Sequence, residues 1–412
     1  MSALSPTPRR EWPDGGTSRV PNWVYTDPGI FARELERIFS ASDWLYVCLE
    51  AEVPGVGDFK RSQLGNRDVV AVRGADGAVN VLVNRCAHRS MQVCTASKGT
   101  TKEFVCPYHQ WTYDLAGSLV GVPFRRGYRG QGGMPSDFRP EEHGLQRLAT
   151  TTRNGVVFAS FGSPNESLEM YLGDRMLGYF DRVFDGRELQ VLGYMRQRIP
   201  SNWKLMFENI KDPYHASLLH VFLVTFGLFR LDQQSAVEMD DTGRHAVLVS
   251  RRGTQETNEA TAQMRAFKHD FALRDPRLLD PVREFPGDAT VVMQTLWPNV
   301  IVQQQSNTLA MRQIVPLDAR HFDLAWTFFG YADDTPEMRQ RRLRQANLMG
   351  PAGLVSLDDS EAMLLSQAGI DNNDDEACLV EMGGRGVVNE PHMVNETAIR
   401  GFYQHYRSVM EL

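Results

Sequence analysis

The chain has 412 residues, 42% of them hydrophobic and 23% charged, with a formal net charge of −7. That length and balance describe a globular protein of two or three domains, and the acidic charge without a long Lys/Arg block excludes nucleic acid as a partner. Five cysteines, an odd count with no small-domain spacing, argue against a disulfide framework and for a reducing cytoplasm; Cys48, Cys94 and Cys378 read as buried or partly buried thiols.

Residues 1–16, "MSALSPTPRREWPDGG", have no apolar core and read as a loose arm, not a secretory signal. Pro28–Phe39, "PGIFARELERIF", has helical periodicity. From Trp44 to Phe161 the pattern changes to short apolar runs between turn signals: "DVVAVRG", "AVNVLVN", "EFVCPYHQWTYD", "GSLVGVP" and "NGVVFASF". "GADGA", Gly74–Ala78, separates two of these runs as a hairpin would. This is a small all-β unit with two Cys-His pairs at its loop ends. Helical sequence returns at Ser167–Phe184. Beyond Met195, strands (His245–Arg252, Ala289–Trp297, Asn299–Gln305, Thr308–Pro316, Phe322–Ala332) alternate with helical stretches (Trp203–Phe222, Thr335–Met349, Ser356–Ile370). The longest apolar run, Leu218–Phe229, carries a histidine and is too short to span a bilayer, so no membrane role is expected. The expected fold class is α+β: a small all-β domain over 41–162 inserted in an antiparallel-sheet catalytic domain. Residues 1–40 and 163–412 form the latter.

The Cys-His pairs are Cys86-x-His88 and Cys106-x-x-His109. Thiolates and imidazoles at this spacing suit a tetrahedral zinc or an iron–sulfur cluster. A Rieske centre holds one iron by two cysteines and the other by two histidines, and two loops that each supply one of each match that demand. Neutral imidazoles in place of anionic thiolates raise the reduction potential. Such a cluster moves single electrons and needs an acceptor.

A second group lies in "ENIKDPYHASLLH", where Asp212, His215 and His220 fall in a helix-prone stretch. Asp212-Pro213 reads as an N-cap and first helical position. Asp212 and His215 share a helical face, whereas His215 and His220 would lie about 140° apart on a regular helix. One ion can take both only if the helix breaks. Two histidines want a carboxylate to complete the facial triad of non-haem Fe(II) oxygenases, and "GPAGLVSLDDSE" offers Asp358 or Asp359.

Together, Cys-x-His-Arg, Cys-Pro-Tyr-His-x-Trp, Asp-x-x-His-x4-His and the downstream Gly-Pro-Ala-Gly…Asp-Asp resemble the large (alpha) subunit of Rieske non-haem iron aromatic-ring-hydroxylating oxygenases. The likeness covers nearly the whole chain and implies a helix-grip-like catalytic domain. It also implies Cys86, His88, Cys106 and His109 on a 2Fe–2S cluster and His215, His220 and Asp359 on a mononuclear Fe(II). Asp212 matches the acidic residue that links an iron histidine of one subunit to a cluster histidine of its neighbour. The resemblance further implies a small beta subunit in an alpha3beta3 assembly, with electrons from NADH arriving through a ferredoxin and an NAD(P)H-dependent reductase. The sequence itself holds no dinucleotide fingerprint. Ser90 and Gln110 stand where many members have glycine. The stretches "WKLMFENIKDPYHASLLHVFLVTFGLFR", "RLRQANLMGPAGLVS", "LVEMGGRG" and "HMVNETAIRGFY" are similar to the branch acting on aromatic acids: salicylate 5-hydroxylase, terephthalate dioxygenase and anthranilate dioxygenase.

In "TLAMRQIVP", Ala310, Arg312 and Ile314 share one strand face, and Arg312 matches a carboxylate clamp of terephthalate-type relatives. Where those relatives carry a second basic residue this chain has Met393, which favours a monocarboxylate. The expected reaction is salicylate to 2,5-dihydroxybenzoate (gentisate). The alternative is cis-dihydroxylation of anthranilate, terephthalate or another benzoate; a different class is an electron-transfer or zinc protein with a vestigial second site. Expected pocket residues are Asn209, Met206, Phe207, Leu218, Val221, Phe222, Gln294 and Leu296. Arg125, Arg126 and Arg129 in "PFRRGYRG" are expected to help dock an acidic ferredoxin.

Overall fold

In the computed structural model, residues 10–230, 233–251 and 259–412 are described. Residues 1–9 of the expected arm and Arg252 of the expected strand lie outside them.

The turn at Gly74–Ala78 folds strand Arg67–Arg73 antiparallel onto Val79–Val83. Gly77 sits at φ 82°, in the left-handed region that a side chain disfavours. Strands Asp58–Leu64 and Lys98–Thr100 extend this into four strands. A three-stranded antiparallel sheet joins Leu45–Leu49, Val156–Ser160 and Ala149–Arg153. A smaller one joins Phe104–Val105, Thr112–Tyr113 and Leu119–Gly121. Between the four-stranded sheet and this smaller one a separate small core gathers Phe59, Val70, Val72, Leu82, Phe104, Trp111, Tyr113 and Leu119, with Cys86 and Cys106 buried among them.

The larger sheet has seven antiparallel strands. From one edge they run Leu189–Ile199, His321–Tyr331, Thr308–Asp318, Val300–Gln305, Ala289–Leu296, Ala246–Arg251 and Ser235–Met239. Its central strands are buried along almost their whole length, so neither face is marked by a regular polar–apolar alternation. Helix Leu168–Val183 covers one face, where its Met176 carbonyl accepts from Gln294 Nε2 at 2.8 Å. Helix Trp203–Lys211 packs on the other, bringing Met206 Sδ within 3.7 Å of Arg312 Nη2. Helix Leu354–Asp371 contacts it there. Antiparallel sheets with helices laid over them make the fold α+β.

The N-terminal segment joins this larger part. Strand Arg19–Pro21 pairs with Ala377–Leu379, and helix Pro28–Arg37 inserts Glu34 into the core. There Glu34 accepts from Lys204 Nζ at 2.6 Å, Trp203 Nε1 at 2.8 Å and the Tyr406 hydroxyl at 2.6 Å. A buried carboxylate persists only with such a full set of donors. No helix among the described residues is long and apolar enough to cross a membrane.

Candidate metal centres and active site

The two Cys-His loops have the same backbone. Cys86 N–H donates to Met91 O at 2.8 Å and Ser90 N–H to Cys86 O at 3.0 Å; Cys106 N–H donates to Trp111 O at 2.8 Å and Gln110 N–H to Cys106 O at 2.9 Å. Closing each loop requires a left-handed residue, and Ser90 (φ 59°) and Gln110 (φ 56°) take those positions. These are the two places where a glycine was expected from the resemblance. The strained conformation costs on the order of 1–2 kcal/mol per non-glycine residue. Both thiols point into the small core, while the His88 and His109 rings meet nearer the surface with centroids 4.5 Å apart. Trp111 stacks on His88 at 4.8 Å. The Tyr113 hydroxyl lies 3.2 Å from Cys86 Sγ and accepts from Ala87 N–H at 3.1 Å. His109 Nδ1 is buried without a protein partner. Two inward thiols and an inward, unpartnered imidazole nitrogen fit a group bridging the loops.

The second centre depends on a broken helix. Asp212 caps Pro213–Leu219, its Oδ1 accepting from Tyr214 N–H at 2.8 Å and His215 N–H at 3.2 Å. The helix stops at His220, whose φ −85° and ψ 87° are not helical, and Val221–Thr225 starts anew. The break that two histidines five apart demanded therefore falls on the second histidine. It turns the ring back to 5.4 Å from His215. Asp359, in the second turn of Leu354–Asp371, completes the group: its Oδ1 is 3.4 Å from His215 Nε2 and 3.3 Å from His220 Nε2. One donor atom from each of the three lies within 4.8 Å of the others. Asn209 Nδ2 donates to Asp359 Oδ1 at 3.0 Å. On the far side of each ring stands another carboxylate, Asp212 Oδ2 at 3.2 Å from His215 Nδ1 and Asp358 Oδ2 at 3.3 Å from His220 Nδ1.

Electrostatics mark the group as a cation site. Burial disfavours protonation of His215, yet hydrogen bonds to Asp212 and Asp359 outweigh it and carry the imidazole up to about 10. Burial likewise works against ionisation of Asp359, but both histidines hold its carboxyl far below the usual range. A metal ion that displaces the shared protons satisfies all three donors at once.

A cleft opens beside the triad. Its apolar walls include Leu223, Phe229, Leu248, Val291, Met293, Met349 and Val355; its polar groups include Asn209, Gln303, Gln305, Ser356 and Arg312. Arg312 is buried in a central strand, with Trp326 facing its guanidinium at 4.3 Å and Gln303 Oε1 accepting from Nη1 at 3.4 Å. Its Nε has no partner. Burial pushes its guanidinium down to about 10, against an opposing pull from the Asp359 charge.

Of the expected pocket residues, Asn209 lines this cleft and Met206 touches Arg312 from behind. The others fall elsewhere. Gln294 and Leu296 belong to the opposite strand face, against Leu168–Val183, because the pleat turns Val291 and Met293 inward instead. Phe207 stacks on Phe402 of the C-terminal helix at 5.7 Å. Leu218 is 48% exposed on the outer side of its short helix. Val221 and Phe222 follow the break at His220, and Phe222 packs on Phe226 at 4.8 Å. Met393 is buried in the main core and is not part of the cleft. Gln303, Gln305 and Trp326 went unnoticed in the sequence. The signal for the glutamines was there: polar residues inside a buried strand, "NVIVQQQ", call for a partner or a ligand.

An all-β unit with paired Cys-His loops, together with a buried two-histidine–one-carboxylate group carried by helices, defines a Rieske-type non-haem iron oxygenase. Residues 43–131 match the Rieske 2Fe–2S domain and residues 186–412 the ring hydroxylating alpha subunit (catalytic domain). The chain belongs to the ring-hydroxylating oxygenase alpha-subunit family. As an oxidoreductase of that family it carries a 2Fe–2S cluster in one domain and a mononuclear iron in the other. It is 52% identical to the large oxygenase component of salicylate 5-hydroxylase from Ralstonia sp., over 97% of this chain and 96% of that one. It is 43% identical to the anthranilate 1,2-dioxygenase large subunit of Burkholderia cepacia (97% and 95%). It is 40% identical to a terephthalate 1,2-dioxygenase terminal oxygenase alpha subunit of Comamonas sp. (97% and 97%). In fold it is similar to naphthalene 1,2-dioxygenase from Rhodococcus sp., with a TM-score of 0.80 at 24% identity over 95% of this chain and 94% of that one.

Proposed function

We propose that this chain is the oxygenase component that hydroxylates an aromatic monocarboxylate, converting salicylate to 2,5-dihydroxybenzoate with O2 and NADH-derived electrons. The observation that carries this reading is Arg312. It is a buried guanidinium beside the triad, and its side-chain contacts among the described residues are Gln303, Met206 and Trp326, none of them a carboxylate. A buried charge without a directly paired counter-charge is costly, Asp359 acting on it without pairing, and an aromatic carboxylate supplies such a partner in bidentate geometry. A single guanidinium in the cleft suits one carboxylate better than the two of terephthalate. The relatives' names add the 2-substituted benzoates as candidates.

In this reading Cys86, His88, Cys106 and His109 hold the cluster and His215, His220 and Asp359 hold the iron. When bound, the two groups supply single electrons and O2 activation. The chain's own residues supply the geometry. Asp212 orients His215 through Nδ1, and Asn209 steadies Asp359 by a hydrogen bond to Oδ1. Arg312 anchors the carboxylate and so sets which ring carbon faces the iron. The apolar walls exclude water. Asp212, one-fifth exposed, faces a cluster histidine of a neighbouring alpha subunit. A small beta subunit completes an alpha3beta3 assembly in the cytoplasm, and a ferredoxin and an NAD(P)H reductase deliver electrons.

The test is product analysis after reconstitution with reductase and ferredoxin, using salicylate, anthranilate, benzoate and terephthalate. Salicylate should yield 2,5-dihydroxybenzoate, from protein carrying three irons and two acid-labile sulfides per chain. Zinc without sulfide would overturn the assignment of both centres, and turnover of neutral aromatics alone would overturn the substrate class.

A further inference from the structure

His220 is the less supported of the two iron histidines. It stands where one short helix ends and another begins, and its side chain caps neither. Its ring is nevertheless 97% buried, so its orientation must come from what grips it (3% exposure). That grip comes from helix Leu354–Asp371: Asp359 Oδ1 lies 3.3 Å from Nε2 and Asp358 Oδ2 lies 3.3 Å from Nδ1. Consecutive residues on a helix point about 100° apart, so neighbouring carboxylates straddle the ring, one at each nitrogen.

We propose that Asp358 is a positioning residue for the mononuclear site: by accepting Nδ1–H it fixes the tautomer and the rotation of His220 that present the Nε2 lone pair to the metal. A neutral imidazole has one proton, and a carboxylate at Nδ1 keeps that proton away from the ligating nitrogen. Asp212 Oδ2 stands 3.2 Å from His215 Nδ1, and Asp212 Oδ1 is also held by two backbone N–H groups. Asp358 has no other hydrogen-bonding partner among the described residues, and its carboxylate is 32% exposed. Holding His220 is thus its one contact of this kind. A plainer role would be favourable charge near a helix N-terminus, and the test separates the two. The inference rests on the triad reading above.

The experiment uses full-length protein with its cluster loaded and the mononuclear site stripped, titrated with Co(II) and with Fe(II), for wild type, Asp358→Ala, Asp358→Asn and Glu361→Ala. Glu361 is exposed on the same helix and removes the same charge. Asp358→Ala should lose about ten- to a hundredfold in metal affinity. Asp358→Asn, whose amide oxygen still accepts Nδ1–H, should fall between, with shifted ligand-field bands of bound Co(II). Glu361→Ala should bind as wild type does, and cluster absorbance should be the same in all. Wild-type affinity in Asp358→Ala, or a lowered melting temperature with unchanged affinity, overturns the inference alone. Wild-type protein that takes up no metal beyond its cluster overturns the triad reading and this inference with it.

Discussion

Replacing Arg312 by glutamine tests the substrate reading most directly, because the side chain keeps contact with Trp326 and Gln303 while losing its charge and fork. The guanidinium is buried and stays protonated at neutral pH, its pKa resting near 10. A substrate carboxylate would therefore meet a desolvated, charge-assisted pair. Removing one partner of such a pair costs about 3–5 kcal/mol, roughly two to four powers of ten in kcat/KM. The loss should appear mainly in KM, since the carboxylate is bound alike in ground and transition states. For salicylamide, of similar shape and no charge, about 1 kcal/mol or less is expected, the value of one neutral hydrogen bond. The assay is product formation with the reconstituted electron-transfer chain for both substrates, with mononuclear iron measured on the same samples. Without substrate, the variant should melt higher than wild type, because an unpaired buried cation has been removed. Equal losses for the two substrates at unchanged iron content would refute the clamp.

Lys211 is buried with its Nζ over the Phe207 and Phe402 rings but without a hydrogen-bond partner, and burial lowers its pKa to about 7 against an opposing pull from Asp240. Between 7 and its unfolded value near 10.5 the unfolded chain binds more protons, so stability rises with pH across that window. Lys211→Met should accordingly raise the melting temperature most at pH 7 and little near pH 10, the gain being at most a few kcal/mol; no gain at pH 7 would contradict the burial argument. Gln110→Gly should keep stability within about 1 kcal/mol, as relief of the left-handed backbone offsets added chain entropy. Gln110→Val should cost about 1–2 kcal/mol more and lower cluster occupancy, read as acid-labile sulfide. Arg126 and Arg129 lie exposed beside Phe124 and Tyr128, so reversing both charges should slow ferredoxin-dependent turnover at low salt, with the gap closing at high salt. A salt-independent rate would remove the docking role.

What could be read in the chain divides by how local the determinant is. The Gly74–Ala78 hairpin, the Asp212-Pro213 cap and the Cys-His loops follow from a few neighbouring residues. The departures from glycine at Ser90 and Gln110 were visible in the sequence, and the structure shows that both positions are left-handed. The break at His220 was also legible, though by elimination: helical geometry forbids two ligands five apart, so the helix had to yield. Which residue would yield could not be read, because no proline or glycine stands there.

Pocket walls fail for a different reason. In "ATVVMQTLW" both faces are buried, so the alternation that assigns a strand face is missing, and a one-residue error in phase exchanges Met293 for Gln294. Polar residues then become the better guide. Gln303 and Arg312 lie on adjacent strands, two residues apart in register and so on one face, and each is a polar group in an apolar face that a folded chain keeps only when something answers it. The same reasoning separates the two aspartates. Both stand on one helix one residue apart, and a sequence motif must choose between them, whereas the structure gives each a nitrogen of the same ring. Where neighbouring carboxylates flank one imidazole, the useful question is which nitrogen each one serves.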